Sequence, residues 1–509
     1  MKIYLKLILL LAALGFMACG EDYLEATKPA SNLTETEFTS NVTLDDLVRG
    51  AYFNLKSPGR HGVIDIPSYR DLSTDILEQK TYSQASVASG FWNVQPLYLR
   101  QTDINDIEAV EFPWAGAYQV IYNANTVLEF YANNPPIDDA FAGWVPRIQG
   151  ESHFLRAFAH YQLATNYAPP YQSAPGAESV ILQTESAAAP TDLGGLSTNE
   201  EVYTQIVNDL KQAIALLPEE FDINRDPEDY QDRAKRDAAR FLLAKVYFLM
   251  GSSFWQSGLD GDGGALEQIN AIIDGGNYPL FTGDDLNQIF RQNGLGQKVS
   301  ETVWYAAYYF RNAWRTPTSQ RYYSNFTGNQ RQRAFAFSKA TLAQIGWDDE
   351  ATAQGDERYN DWFRRFEADG SGLEGADPTF GGEYEDDYNV WCAKFTNRTD
   401  NFIVFRSPEL YLMRAVIRLA DGDLEGATQD VNVTRERAGL TALTNATAED
   451  IEQEWIKEYA FEGRRLFYLQ ATQQNVGPGD RLGLTEISYD DPSLVRALPR
   501  SELTRNPNL

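Results

Sequence analysis

Apolar side chains recur at helical spacing through most of this chain, in segments that stop at Pro or Gly. In "WAGAYQVIYNANTVLEFYANNPP" the apolar positions are Trp114, Tyr118, Ile121, Tyr122 and Leu128, and a Pro pair ends the run. "RIQGESHFLRAFAHYQLATNYAPP" ends in the same way. There Phe154, Leu155, Phe158, Tyr161 and Leu163 spread around more than one face, which predicts a helix sandwiched between neighbours. "STNEEVYTQIVNDLKQAIALLP" opens with Ser197 and Glu200 at capping-box spacing. "DAARFLLAKVYFLMGSS" is apolar almost all round and meets Gly251, a predicted C-cap. Further on, "SPELYLMRAVIRLADGD" and "LEGATQDVNVTRERAGL" are punctuated by Pro408, Gly422 and Gly439. "AEDIEQEWIKEYAFEGRRLFYLQATQ" reads as one last helix. Small residues (Ala157, Ala244, Ala415, Ala427) recur where helices must approach closely. Paired helices with short turns predict a mainly α fold of stacked, tetratricopeptide-like hairpins, an α/α superhelix.

Residues 281–400 break the pattern. They carry weak helical periodicity and many Gly, Asn, Asp and aromatic residues, and read as strand fragments and long loops in an irregular subdomain. The expected organisation is a leader over 1–18, an N-terminal helical region over 19–280, and a region over 281–509 with a loop-rich insert and closing helices. Within the insert, "YNVWCAKF" alternates like a strand, which makes Cys392 a buried structural thiol.

The leader has a basic start at Lys2 and Lys6 and an apolar run from Leu7 to Leu14, too short to span a bilayer. Ala18 precedes Cys19, so the expectation is a lipoprotein signal, with Cys19 the first mature residue and the lipidation site. Phe16 and Met17 depart from the usual leucine-plus-small pattern. With Cys19 acylated, Cys392 has no partner for an intrachain disulfide, since the chain holds 2 Cys. The formal charge is −29; removing residues 1–18 takes away Lys2 and Lys6 and no acid, giving −31. Such a surface repels nucleic acid and anionic lipid, so the membrane is met through the anchor only.

No constellation for catalysis stands out. His153 and His160 lie seven apart on one helix beside Phe154, Leu155, Phe158 and Tyr161, and read as packing residues, without the motif of a zinc site. No Gly-x-Ser-x-Gly elbow, Walker A loop or Gly-x-Gly-x-x-Gly before a helix is present. Nothing singles out a pair of carboxylates for glycoside hydrolysis. No cofactor is expected, with calcium left open. Asp260 and Asp262 sit in a Gly-rich fragment of a calcium loop that lacks its closing ligand, and acids cluster at Asp348–Glu350 and Glu383–Asp387. The informative chemistry is aromatic: FWY make up 13% of residues, including 28 Tyr. A sugar stacks its C–H face on a flat ring and pairs its hydroxyls with short polar groups. "GFWNVQPLYLR" supplies Trp92, Asn93 and Tyr98. "YYFRNAWRTPTSQRYYSNF" supplies Tyr308, Arg311, Asn312, Trp314, Arg321, Tyr322 and Tyr323. These are the candidate ligand-binding residues; the competing reading is that the same rings fill a loop-rich core.

Five stretches, in order, resemble the SusD/RagB family of Bacteroidetes surface lipoproteins. They are "CGEDYLE", whose acids Glu21 and Asp22 follow the lipidated cysteine; the helix with Trp114, Tyr118, Ile121 and Asn125; and the helix with Glu151, Phe154, Leu155, Arg156, Ala157, Tyr161 and Tyr167. A hairpin follows with Arg406, Glu409, Leu412, Ala427, Asn432, Arg435, Arg437, Ala438 and Gly439, then a helix with Glu454, Glu458, Glu462, Gly463 and Arg465. Three places depart from the family pattern: "MRAVIR" replaces Tyr-Ala-Glu-Ala, Trp455 stands where an Arg is usual, and no Asp follows soon after the last Arg. The charged residues of these motifs are spaced for helix pairs or for reaching a neighbouring helix, a structural role. The resemblance implies a lipid-anchored outer-membrane protein facing outside. It would bind glycan or oligosaccharide for a SusC-like TonB-dependent transporter and carry out no catalysis. The alternatives are a peptide ligand, as in the RagB branch, or a surface glycoside hydrolase.

Overall fold

A computed structural model describes residues 40–56, 63–65, 70–79, 95–101, 112–133, 139–186, 194–221, 230–261, 263–307, 335–366, 389–395 and 400–509. The principal helices are α1 (Asn41–Lys56), α2 (Phe112–Asn133), α3 (Val145–Tyr167), α4 (Asn199–Leu216), α5 (Arg236–Met250) and α6 (Gly264–Gly275), followed by α7 (Pro408–Ala420), α8 (Leu424–Arg437), α9 (Ala448–Tyr459) and α10 (Arg465–Ala471). Each of α1 to α6 packs on the next in sequence; α6 meets α7, and α7, α8 and α9 pack on one another. The mainly helical, hairpin-stacked expectation holds. Helix α3 is buried on nearly every face, as its apolar spread predicts, and lies between α2 and α4.

Local chemistry sets the ends. Gly251 takes φ +107° after α5, Gly422 takes +84° between α7 and α8, and Gly439 takes +75° after α8. Two expectations are corrected. The capping box of α4 lies one residue later than predicted. Thr198 Oγ1 accepts from Glu201 N at 3.2 Å, and Glu201 Oε2 accepts from Thr198 N at 2.8 Å. Ser197 is held in a strand-like pairing, donating from its N to Val180 O at 3.0 Å and accepting from Ser179 N at 2.8 Å, so Thr198 takes the cap. The last predicted helix is two helices. Between α9 and α10 the chain turns through Phe461 at φ +70° and Gly463 at +75°. The new N-terminus is capped from far away: Asp71 accepts from Gly463 N at 2.7 Å and Arg465 N at 3.0 Å.

Among the described residues, six short strands form three antiparallel ladders: β1 (Leu77–Gln79) with β3 (Phe335–Phe337), β2 (Thr302–Ala306) with β6 (Phe402–Arg406), and β4 (Phe363–Phe366) with β5 (Asn389–Cys392). The main core fills the helix stack and draws in Trp304 and Phe405 of the β2–β6 ladder. Side chains from both sides of residue 280 share it. A second core joins Leu72, Leu77 and Tyr98 to Phe290, Phe337, Trp347, Trp362 and Phe461. Cys392 is fully buried there, on the strand its alternation predicts, and burial pushes its thiol up to about 12.

The charged motif residues tie elements together. Arg156 of α3 bonds Asp209 of α4 at 2.6 and 2.8 Å and Asn125 of α2 at 2.8 Å. Glu151 accepts from Arg147 at 2.7 Å and faces Arg233 at 3.4 Å. Arg465 holds Asp75 and Glu452, each at 2.7 Å. Trp455, in place of the usual Arg, is wholly buried and donates its indole N–H to Arg464 O at 3.2 Å.

Candidate functional site

The short β1–β3 ladder gathers three of the four chain ends that border the predicted binding segments. Its register sets Gln79, the last residue of β1, opposite Phe335, the first of β3. A helical turn at Gln95–Tyr98 returns to the same point. There Tyr98 Oη accepts from Gln79 N at 3.1 Å, and its ring lies 5.5 Å from that of Phe335. The Arg481 guanidinium lies over the ring, 4.5 Å from its centroid. Both borders of segment 80–94 and the C-terminal border of segment 308–334 therefore lie at or close to one small patch, while the other border of 308–334, Ala307, follows β2 and donates its N–H to Asp232 at 3.0 Å.

That patch is strapped from behind. Arg100, at φ +54°, donates to Ser73 O at 2.9 Å, to Thr485 O at 3.1 Å and to Gly477 O. Burial first, then the nearby Arg481 charge, lowers its guanidinium to about 10. Arg481 reaches Ser73 O at 3.3 Å. Val476 and Ile487 bridge to each other, closing the C-terminal hairpin that carries these acceptors. The carboxylate of Asp480 accepts from Lys339 N and, at 3.3 Å, from Ala340 N, which holds the helix after β3.

Of the candidate ligand residues, Tyr98 is described, and it is an anchor. It is 6% exposed and lies against Phe335 and Arg481, and burial raises its hydroxyl above the ordinary range. For this ring the core-filling reading is the one observed. Trp92 and Asn93 lie outside the described residues, as do Tyr308, Arg311, Asn312, Trp314, Arg321, Tyr322 and Tyr323, and the lipidation candidate Cys19. Sequence reasoning missed Arg481 and Arg100 altogether. No local pattern announces an arginine whose acceptors lie hundreds of positions away.

A second concavity of about 450 Å³ opens between the start of α2, the extended segment 181–186 and the C-terminal turn around Glu502. Its volume is that of a small-ligand pocket. Trp114 and Tyr118 form its floor with ring centroids 5.0 Å apart, their polar atoms already engaged by Glu502 at 3.3 Å and Ile181 O at 2.9 Å. Gln183, Glu185, Ser501 and Arg505 give it a polar rim.

The remaining candidates have structural places. His160 is buried, its Nδ1 lies 3.1 Å from Arg156 O and its Nε2 accepts from Gln183 N at 3.4 Å. Burial lowers it to about 4. His153 contacts Asp209 at 2.7 Å. Asp260 pairs with Lys211 at 2.8 Å, while Asp262 lies outside the described residues. Asp349 caps a short helix through Thr352 N at 3.0 Å. Among the described residues no group of three His, Cys, Asp or Glu could hold a metal ion. Among them, too, no helix is long and apolar enough to cross a membrane.

Two family models match the chain: one described as starch-binding associating with outer membrane, over residues 22–248, and one described as the SusD family, over 384–470. A SusD-like protein of Formosa agariphila, P25, is 24% identical across 91% of this chain and 87% of its own length. A SusD superfamily crystal structure from Bacteroides thetaiotaomicron superposes with TM-score 0.74 at 19% identity, covering 92% of this chain and 98% of that one. Surface glycan-binding protein A of Bacteroides uniformis superposes with TM-score 0.70 at 17% identity, covering 92% and 99%.

Proposed function

The chain belongs to the SusD/RagB family, and from that premise we propose that it captures a glycan or oligosaccharide at the cell surface and hands it to a SusC-like TonB-dependent transporter. In this reading Cys19 carries the lipid that fixes the protein to the outer membrane, facing outward. Rings and short polar groups of segments 80–94 and 308–334 (Trp92, Asn93, Tyr308, Arg311, Asn312, Trp314, Arg321, Tyr322 and Tyr323) grip the sugar. The helix stack is the rigid body that carries them. No bond is made or broken in the ligand; it is bound, concentrated and passed on. Any closure over the transporter must draw its energy from contacts the ligand makes in one state and not the other.

The pair of family matches, in family order, is the observation that carries this reading. The meeting of Gln79, Tyr98 and Phe335 supports it, because it brings both ends of the first aromatic segment and one end of the second to one place. The starch-binding description of the matched model and the glycan-binding name of the Bacteroides uniformis neighbour favour sugar over peptide. The test is to probe the mature protein, with Cys19 replaced so that it stays in solution, on a glycan array and a peptide array together. Selective signals among glycans are expected. Signals confined to peptides would move the protein to a RagB-like role.

A further inference from the structure

Between α3, α5, β6 and the α9–α10 turn lies a small internal cavity of about 20 Å³, room for one small occupant. Phe158 and Phe405 belong to its apolar wall, and three cationic side chains are among its lining: Arg70, Lys245 and Arg464. All three residues are buried. Their counter-charge is short. Lys245 bonds one oxygen of Glu409, and Arg464 donates to the other oxygen at 3.2 Å, so two cations share one carboxylate. Arg70 bonds the amide oxygen of Gln470 and forms no ion pair among the described residues. The acid next to it, Asp71, already accepts from Gly463 N and Arg465 N. Gln162, buried on the same wall, leaves its amide oxygen without a partner. A half-turn of that amide presents its NH2 instead.

A buried cation without a counter-ion is strongly disfavoured. An aspartate or glutamate could have supplied the missing charge, but among the described residues the lining holds none. We propose that this cavity binds one small monovalent anion, of the size and charge of chloride, between Arg70, Lys245 and Arg464. The electrostatics agree: burial, with Arg464 and Arg70 adding to it, depresses Lys245 to about 7. Bound there, the anion joins three parts of the fold. Arg70 opens the segment that leads into β1, Lys245 sits on α5, and Arg464 sits on the turn that Asp71 caps.

Two experiments on the mature protein decide it. Crystals grown or soaked in bromide should show an anomalous bromine peak inside the cavity. Thermal unfolding at constant ionic strength, exchanging gluconate for chloride, should show a rise in Tm of about 1 °C per tenfold chloride above the dissociation constant. The Arg70→Gln variant should lose that dependence. A cavity that holds water only, with no bromine peak, overturns the proposal. So does a chloride response left unchanged in Arg70→Gln. If that variant does not fold, the bromide crystal of the unaltered protein decides between anion and water by itself.

Discussion

Replacing Glu458 by Gln tests how the C-terminal motifs hold the fold. Glu458 on α9 is wholly buried and accepts from Arg406 on β6, from Arg437 on α8 at 2.5 Å and from Arg358 at 3.1 Å. It belongs to a network in which Arg358, Lys394, Arg406, Arg435 and Arg437 face Glu301, Asp356, Glu454, Glu458 and Glu462, so the charges balance. Burial acts to raise the pKa of Glu458, but Arg437, Arg406 and Arg358 overcome it and hold the carboxyl well below the ordinary value. Gln keeps the shape, removes one negative charge and turns an NH2 group towards guanidinium donors. Removing one partner of a buried ion pair costs about 3–5 kcal/mol. Urea unfolding at pH 7, followed by tryptophan fluorescence, should show that loss. A folded pKa below the unfolded one means the contribution is present above about 4.5 and lost as pH falls through the depressed value. The gap between the two proteins should therefore narrow on acidification. A loss under about 1 kcal/mol at pH 7 would refute the claim that Glu458 is structural in this way.

Other perturbations follow from the same geometry. His160 is buried at about 4 in the fold against about 6.5 unfolded, so the unfolded chain takes up the extra proton and stability falls as pH drops from about 6.5 to 4, by about 3 kcal/mol. Asp71, raised by burial to about 7, has the opposite sign: its contribution is present below about 4 and lost as pH rises to 7. The measurement is therefore the difference between wild type and His160→Gln across pH 4–7; a difference that stays constant contradicts it. Phe461 is fully buried with its ring 4.9 Å from that of Phe337, so Phe461→Ala should cost about 3–5 kcal/mol in chemical unfolding. Trp92→Ala and Trp314→Ala should each weaken glycan binding by tenfold or more in calorimetry, about 1.4 kcal/mol, with circular dichroism unchanged. Affinity unmoved in both would remove these rings from the site.

The helix stack was legible because its signals are local. A run such as 236–250 states its own periodicity, and Gly251 states its end. The position of the α4 cap was not, because Ser197 and Thr198 both satisfy the motif and only the pairing with Ser179 and Val180 excludes the first. The break after α9 was hidden for a stronger reason. "YAFEGRRLF" continues a helical pattern, and the carboxylate that caps the new helix, Asp71, is nearly 400 positions away. Tyr98 illustrates the limit for the site. Aromatic composition marks its segment, but whether a ring faces solvent or core depends on Phe335 and Arg481, which only the fold brings to it. The charged motif residues read as structural from their spacing, yet their partners (Asp209 for Arg156, Asp75 for Arg465) lie on other elements, beyond what same-helix spacing specifies.

The most direct measurement is to titrate the mature protein with an oligosaccharide chosen from the array, hold the mixture for hours and then weigh the sugar by mass spectrometry. Saturable heat at one ligand per protein, with the sugar recovered intact, is the predicted result. Shortened products that accumulate with time, or no heat from any glycan that reaches the array threshold, would contradict capture without chemistry.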